Sequence, residues 1–344
     1  MCGDGFTEDG LAALDAALAR HTTSGAVPGL VALVARGGQV HVTSAGHKAI
    51  GDAAPIGREA IFRIASLTKP ITGVAAMLLI EDGAMALSDP VERWLPELGG
   101  RRVLRSPEAE LSDTGAMVAG VLIERVTGAP FAEVLSKRVF EPLGMTDTAF
   151  YVPAAKLARF TTMYAPRVAA AAYGASGDAA GPPQASTDEV NRGDLVLIDR
   201  PGGWYAAPPA LPDGGSALVS TIDDLGAFAA MLAADGGGLL SEESVALMRR
   251  DRTTARDRAE NLWFFGKHLG WGLMMSVPAA GVDQATAPDG MPRGYGWEGG
   301  SGTAWRTDPD TGLTAILLTQ RMLASPEPPE VARDFWTAAY AALA

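Results

Sequence analysis

The stretch Ile64–Pro70 reads IASLTKP and lies where a short strand-like run, Ile61–Ala65, passes into a helical pattern. Ser66 and Lys69 are three residues apart, so on a helix their side chains share one face. Pro70 falls within the first turn, where main-chain N–H groups lack intrahelical partners and proline is tolerated. The stretch therefore predicts a hydroxyl and an amine brought together at the beginning of a helix.

This pair has a chemical interpretation. A serine hydroxyl is a poor nucleophile unless a neighbouring base removes its proton, and a lysine amine can act as that base where burial lowers its pKa. A helix N-terminus adds free N–H groups and a positive dipole end, which stabilise an oxyanion. We interpret Ser66 as a candidate nucleophile and Lys69 as its base. The alternative is a Ser66 that only caps the helix and a Lys69 that lies in solvent.

Strand-like patterns dominate both ends of the chain, and helical patterns dominate its middle. The N-terminal part predicts a helix over residues 8–20, with Thr7 as its cap, and strands at Leu30–Ala35 and Gln39–Ser44. The middle part predicts helices over residues 67–82, Thr114–Val126 and Pro130–Val139. The C-terminal part predicts a strand at Leu195–Ile198, helices capped by Thr221 and Ser241, strands at Trp271–Val277, Thr303–Thr307 and Leu313–Thr319, and a last helix at Pro329–Leu343.

This order favours an α+β fold, in which both chain ends build a mainly antiparallel sheet and the middle forms a helical insert. We expect one domain over residues 1–344, with an α/β part at about 7–62 and 195–344 and a mainly helical part at about 63–194. Residues 167–193 are rich in Ala, Gly, Ser and Pro. That composition predicts a mobile loop or flap rather than a core element.

Composition narrows the classes of partner. The chain has 344 residues and a formal charge of −12 without a basic stripe, so a nucleic-acid partner is not expected. Its apolar runs are far shorter than the roughly 20 residues that span a bilayer, so we expect no membrane partner. Four scattered histidines and the single Cys2 predict neither a metal site nor a cofactor. The first five residues carry no leader pattern, which favours a cytoplasmic location; a mature form whose leader was removed is the alternative.

Several stretches resemble a known family. Phe62–Thr72 resembles the first motif of the serine β-lactamase-like superfamily, above all class C β-lactamases and the esterases related to penicillin-binding proteins. Three further stretches resemble it in the same order: Asp82–Val91, Phe140–Thr148 and Gly215–Thr221. The resemblance runs from about residue 8 to 340. It implies a β-lactamase/transpeptidase-like fold, with an antiparallel sheet flanked by helices plus a helical subdomain, and an acyl-enzyme formed on Ser66.

The third family motif corresponds to residues 296–303, GWEGGSGT, with Trp297 where Lys or His is usual. The resemblance implies that the N–H groups of Ser66 and Gly300 form an oxyanion hole and that Trp297, Glu298 and Gly299 contact the substrate. β-Lactamases and peptidases hold a substrate carboxylate with a cation, which an indole cannot replace, so an apolar wall at Trp297 favours neutral esters. The alternatives are a simple bulge or turn and a tryptophan of the core.

The second family motif, Tyr-x-Asn, is missing. The chain has Ser112-Asp113-Thr114 at this place, which resembles the Ser-Asp-Asn motif of class A relatives. We take Ser112 as a candidate proton relay and Asp113 as a candidate substrate contact; the alternative is that either residue only caps the next helix. Residues 101–108 run almost directly into this motif, whereas family members usually have a longer stretch here. A natural deletion, engineering or the loss of residues from the chain would each explain the difference. Losing the tyrosine would weaken proton transfer, a contribution of roughly 10²–10⁴ in rate.

The sequence thus predicts a serine hydrolase that forms an acyl-enzyme on a small ester or amide substrate, most readily a carboxylic ester. Within the same fold the alternatives are a β-lactamase, a D-amino-acid peptidase or an acyltransferase. The missing tyrosine also leaves open a catalytically weakened relative that binds a ligand in the old cleft. The sequence carries no signal for oligomeric state.

Overall fold

The computed structural model describes residues 5–100, 114–170, 194–262, 266–325 and 327–344. Its strands in chain order are β1 Gly29–Arg36, β2 Gln39–Gly46, β3 Phe62–Arg63, β4 Met163–Pro166, β5 Leu195–Asp199, β6 Val219–Ser220, β7 Leu269–Trp271, β8 Ser276–Pro278, β9 Tyr295–Gly299, β10 Thr303–Asp308 and β11 Leu313–Thr319. Its helices are α1 Glu8–Thr23, α2 Thr68–Glu81, α3 Thr114–Thr127, α4 Phe131–Leu135, α5 Glu141–Leu143, α6 Arg167–Ala170, α7 Ile222–Ala233, α8 Glu242–Arg249, α9 Ala255–Glu260 and α10 Glu330–Ala341.

An antiparallel sheet of seven strands forms the centre, in the order β2-β1-β11-β10-β9-β8-β7. Its first hairpin turns at Gly37 and Gly38, whose φ angles of +55° and +82° suit residues without a Cβ atom. Strand β1 then pairs with β11 from the far end of the chain, with Leu30 opposite Thr319. The sheet is therefore built from both chain ends, and the predicted α+β fold with an antiparallel sheet is confirmed.

Each face of the sheet carries its own hydrophobic core. On one face α1 and α10 pack with side chains such as Leu18 and Trp336. On the other face α2 and α7 bury side chains such as Ile71 and Phe228, the latter edge-to-face on Trp305. Burial on both faces explains why β1 and β11 read as nearly continuous apolar runs. Helix α7 packs directly on this face of the sheet, and α2 joins the same core while packing on α3.

Most predicted elements lie where the local pattern puts them. Thr7 caps α1 by accepting a hydrogen bond from the Gly10 N–H, and Thr221 caps α7 in the same way through Asp224. The first prediction that needs correction is the single strand Trp271–Val277. The chain reverses there in a tight turn over Gly272–Met275, in which the Gly272 N–H donates a 2.9 Å hydrogen bond to the Met275 carbonyl and Met274 has a φ angle of +63°. Strands β7 and β8 result.

The second correction concerns the predicted helix Pro130–Val139, which is α4 followed by a π-helical turn at Ser136–Phe140. The start of the predicted loop 167–193 also differs, because Arg167–Ala170 forms α6. Residues 171–193, with the rest of that prediction, lie outside the described residues.

Within the described ranges, no helix combines the length and apolarity that crossing a membrane requires.

Candidate active site

Ser66 lies in a tight turn between β3 and α2. Residues Ala65–Leu67 form one 3₁₀ turn, and Ala65 has a φ angle of +43°, which is strained for a residue with a Cβ atom. The Thr68 hydroxyl secures the turn, since it donates a 2.7 Å hydrogen bond to the Ala65 carbonyl and accepts one of 3.1 Å from the Leu218 N–H. The serine is thus presented at the start of a buried helix.

The structure brings Ser66 and Lys69 into direct contact. Lys69 Nζ lies 2.7 Å from Ser66 Oγ and donates a second hydrogen bond of 3.2 Å to the carbonyl of Gly215. Only 7% of Lys69 is exposed, so its amine lies in a buried environment rather than in solvent. This geometry is what proton transfer between the two side chains requires.

The turn between β9 and β10 is fastened to the chain just before Ser66. The Ser301 hydroxyl donates a 2.5 Å hydrogen bond to the carbonyl of Arg63, and the Thr303 hydroxyl donates one of 3.1 Å to the carbonyl of Ile64. Gly299 touches the same segment, because a Cβ atom there would lie 2.4 Å from the Ile64 oxygen. Gly300 faces open space, with nothing within 4 Å of an added Cβ atom, so a substrate can approach its backbone.

Trp297 and Glu298 are consecutive on β9, so their side chains leave opposite faces of the sheet. Trp297 packs against the α2-side core and stacks edge-to-face on Trp271, with ring centroids 4.5 Å apart. Glu298 accepts hydrogen bonds of 2.9 and 2.8 Å from Arg306, which is 2% exposed. A substrate contact by Glu298 would have to share its carboxylate with this ion pair. The role of both residues toward a substrate stays a prediction.

Ser112 and Asp113 lie outside the described residues, so their predicted roles stay predictions as well.

Sequence reasoning missed a buried cluster around Arg63. Its guanidinium is 3% exposed, lies 3.9 Å from the Phe160 ring centroid, and donates hydrogen bonds to Asp199 and, at 2.6 Å, to the Thr161 carbonyl. Burial lowers the pKa of Arg63, while the charge of Asp199 acts in the opposite direction. The cluster anchors the strand that leads into Ser66. No local pattern could have revealed it, since Arg63 and Asp199 are 136 residues apart.

A cavity of about 510 Å³ lies elsewhere, between β9, β10 and α10. Trp297 and Arg306 are among its lining residues, whereas Ser66 and Lys69 do not line it. Among the residues that the structure describes, no three His, Cys, Asp or Glu side chains are grouped to hold a metal ion.

An antiparallel sheet packed on a helix that starts at a hydrogen-bonded serine and lysine places the chain in the β-lactamase/transpeptidase fold class. The chain belongs to the beta-lactamase family, whose model matches residues 14–105 and 107–339.

Similar proteins include Protein Rv1367c of Mycobacterium tuberculosis, 27% identical with 82% of each chain covered. Esterase EstB of Burkholderia gladioli is also 27% identical, with 90% of each chain covered. Among solved structures, "EstCE1, a hydrolase with promiscuous acyltransferase activity" superposes with a TM-score of 0.72 at 22% identity, covering 96% of this chain and 99% of that one. Family and relatives together support a serine hydrolase of this fold.

Proposed function

We propose that the protein hydrolyses carboxylic esters through an acyl-enzyme on Ser66. The observation that carries this proposal is the 2.7 Å contact between Lys69 Nζ and Ser66 Oγ in a buried position. A buried amine beside a hydroxyl is the arrangement that activates a serine without a histidine. The similarity to Esterase EstB supports the ester as the scissile bond.

The reaction begins with proton transfer. The Lys69 amine, in its neutral form, takes the Ser66 proton while the Ser66 oxygen bonds to the ester carbonyl carbon. The carbonyl oxygen becomes an oxyanion, which the N–H groups of Ser66 and Gly300 stabilise. The intermediate collapses, the bond to the alcohol oxygen breaks, and that oxygen takes from Lys69 the proton that came from Ser66.

Water completes the cycle. Lys69 takes a proton from water as the water oxygen attacks the acyl carbon, and the bond to Ser66 breaks with return of the proton to its oxygen. A small alcohol in place of water would give acyl transfer. The likeness to EstCE1, a hydrolase with promiscuous acyltransferase activity, favours this as the second candidate activity.

Trp297 supports a neutral substrate. Its side chain carries no charge and donates only through the indole N–H, so it cannot pair with a substrate carboxylate as a lysine would. We therefore propose that uncharged acyl esters react faster than β-lactams or D-amino-acid peptides.

The test compares p-nitrophenyl acetate and butyrate with nitrocefin, and adds labelling by a fluorophosphonate probe. We expect ester hydrolysis and stoichiometric labelling, both abolished in Ser66→Ala. Lys69→Ala should lower kcat/KM by roughly 10²–10⁴. Two exposed residues provide matched controls, Ser88→Ala and Lys137→Ala, and both should keep wild-type rates.

Three outcomes would decide against the ester proposal. Nitrocefin turnover far above ester turnover would indicate a β-lactamase. Ester hydrolysis at the wild-type rate in Ser66→Ala would show that Ser66 is not the nucleophile. A folded wild-type protein that neither hydrolyses esters nor labels, yet binds an ester analogue, would indicate the ligand-binding alternative.

A further inference from the structure

The turn Asp213–Ser216, which reads DGGS, lies along the face of α2 that carries Lys69. Two successive carbonyls of this turn accept hydrogen bonds from that helix. Gly215 accepts one of 3.2 Å from Lys69 Nζ, and Gly214 accepts one of 2.7 Å from the Thr72 hydroxyl. Since Lys69 and Thr72 are three residues apart, the turn contacts one face of α2 over a full helical turn.

Both carboxylate oxygens of Asp213 are used inside the turn. Oδ1 accepts a hydrogen bond of 2.8 Å from the Gly215 N–H, and Oδ2 accepts one of 2.6 Å from the Ser216 hydroxyl. Two consecutive glycines allow the backbone more conformations than other residues do. Their peptide planes therefore need a restraint from outside the two residues to keep one orientation. Asp213 supplies that restraint on both sides of the Gly215 carbonyl.

Packing also holds the turn in place. A Cβ atom on Gly214 would lie 2.6 Å from the Ala116 carbonyl oxygen of α3 and 3.2 Å from a methyl carbon of Thr72. Gly214 and Gly215 are both buried. The turn is therefore wedged between α2 and α3.

We propose that Asp213 is a positioning residue for Lys69, which it orients through the Gly215 carbonyl. This inference rests on the function proposed above. The lysine amine ends a flexible four-carbon chain, and its contact with Ser66 is productive only while the amine points at the hydroxyl. Because Asp213 acts on geometry rather than on substrate binding, its loss should lower kcat and leave KM nearly unchanged.

Two substitutions at Asp213 separate geometry from charge. Asparagine removes the charge but keeps an oxygen for the Gly215 N–H and an amide that can donate to the Ser216 oxygen. Alanine removes both contacts. We expect Asp213→Ala to lower kcat for p-nitrophenyl butyrate roughly 10- to 100-fold, with an equal decrease in the rate of fluorophosphonate labelling. Asp213→Asn should stay within about three-fold of wild type, since an amide reproduces the local contacts.

Asp283→Ala is the matched control. Asp283 makes the same local contact, accepting a 2.9 Å hydrogen bond from the Ala285 N–H two residues on, but it lies at the 3₁₀ turn Gln284–Thr286. It should keep wild-type kcat. If Asp213→Ala does not fold at the assay temperature, Ser216→Ala removes only the Oδ2 contact and should still lower kcat more than Asp283→Ala does.

The results separate this inference from the proposed function. Wild-type kcat in folded Asp213→Ala, with Ser66→Ala inactive, contradicts the positioning role alone. Equal losses in the alanine and asparagine variants would assign the effect to charge and also contradict it. Activity that survives in Ser66→Ala would overturn the proposed function and this inference with it.

Discussion

Gly299 lies so close to the main chain of Ile64 that a Cβ atom on it would be 2.4 Å from the Ile64 carbonyl oxygen. The next residue, Gly300, has open space where its Cβ atom would be. The two adjacent glycines at the end of β9 therefore have different roles. Gly299 lets β9 approach the turn that carries Ser66, whereas Gly300 leaves its own backbone accessible.

Alanine at these two positions should have contrasting effects. Gly299→Ala forces the strand away from Ile64, so we expect the free energy of unfolding to fall by about 1–3 kcal/mol, together with a loss of ester hydrolysis. Gly300→Ala is the control, since the added methyl group meets no neighbour and should leave stability within about 0.5 kcal/mol. Urea titration measures the stability of both variants. Equal stability of the two variants would contradict the close approach.

Ser301→Ala should destabilise the protein by about 1–2 kcal/mol. The Ser301 side chain is 3% exposed, and its hydroxyl donates the 2.5 Å hydrogen bond to the carbonyl of Arg63. Removing the hydroxyl weakens the link between the β9–β10 turn and β3, the strand that leads to Ser66. Ser136→Ala removes an exposed 3.0 Å hydrogen bond to Glu141 and should change stability far less. Chemical denaturation compares the two. A Ser301→Ala protein as stable as Ser136→Ala would show that the link is dispensable.

Two arginine–aspartate pairs allow a comparison of burial. Asp199→Ala leaves the buried guanidinium of Arg63 without its carboxylate, which should cost about 3–5 kcal/mol. Asp223→Ala breaks the similar but exposed pair with Arg58, which should cost about 0–1 kcal/mol. The midpoints of urea unfolding test this difference. Similar losses in the two variants would contradict a buried structural role for Arg63.

Acid should weaken the protein partly through Asp147. Burial by itself raises the pKa of this carboxyl, but hydrogen bonds and charges from Arg159 and Lys156 outweigh burial and lower the pKa overall. A lowered pKa means that the folded state favours the ionised form, so the stabilisation is fully present above about pH 4 and is lost as pH falls through the folded-state value.

We therefore expect Asp147→Asn to be less stable than wild type at pH 7 and to lose less further stability between pH 5 and about pH 3. Thermal unfolding across this range measures the two slopes. Asp289→Asn changes an exposed aspartate and should keep the wild-type slope. If Asp147→Asn followed the wild-type slope too, the ion pairs with Arg159 and Lys156 would not contribute to acid sensitivity.

Local patterns predicted the elements that depend on neighbouring residues. The helix capped by Thr7 and the strand Leu313–Thr319 agree with the structure because periodicity and capping act over a few residues. The single strand expected over Trp271–Val277 was wrong, because an apolar run by itself does not mark the place where a chain reverses. The chain turns back at Gly272–Met275, where the Gly272 N–H bonds the Met275 carbonyl and Met274 takes a φ angle of +63°, which residues with a Cβ atom rarely adopt.

The sequence alone determined that Ser66 and Lys69 face the same side at the start of a helix, because they are three residues apart. The surroundings of this pair were decided by the tertiary structure. The carbonyl that accepts the hydrogen bond from Lys69 belongs to Gly215, 146 residues from Lys69 in the sequence. Ser301, which fastens the β9–β10 turn to the carbonyl of Arg63, is 238 residues from Arg63. Contacts at such separations arise only when distant segments of the chain pack together, as β3 does with β6, the strand that follows Gly215, since local backbone preferences carry no record of which distant strand will become a neighbour.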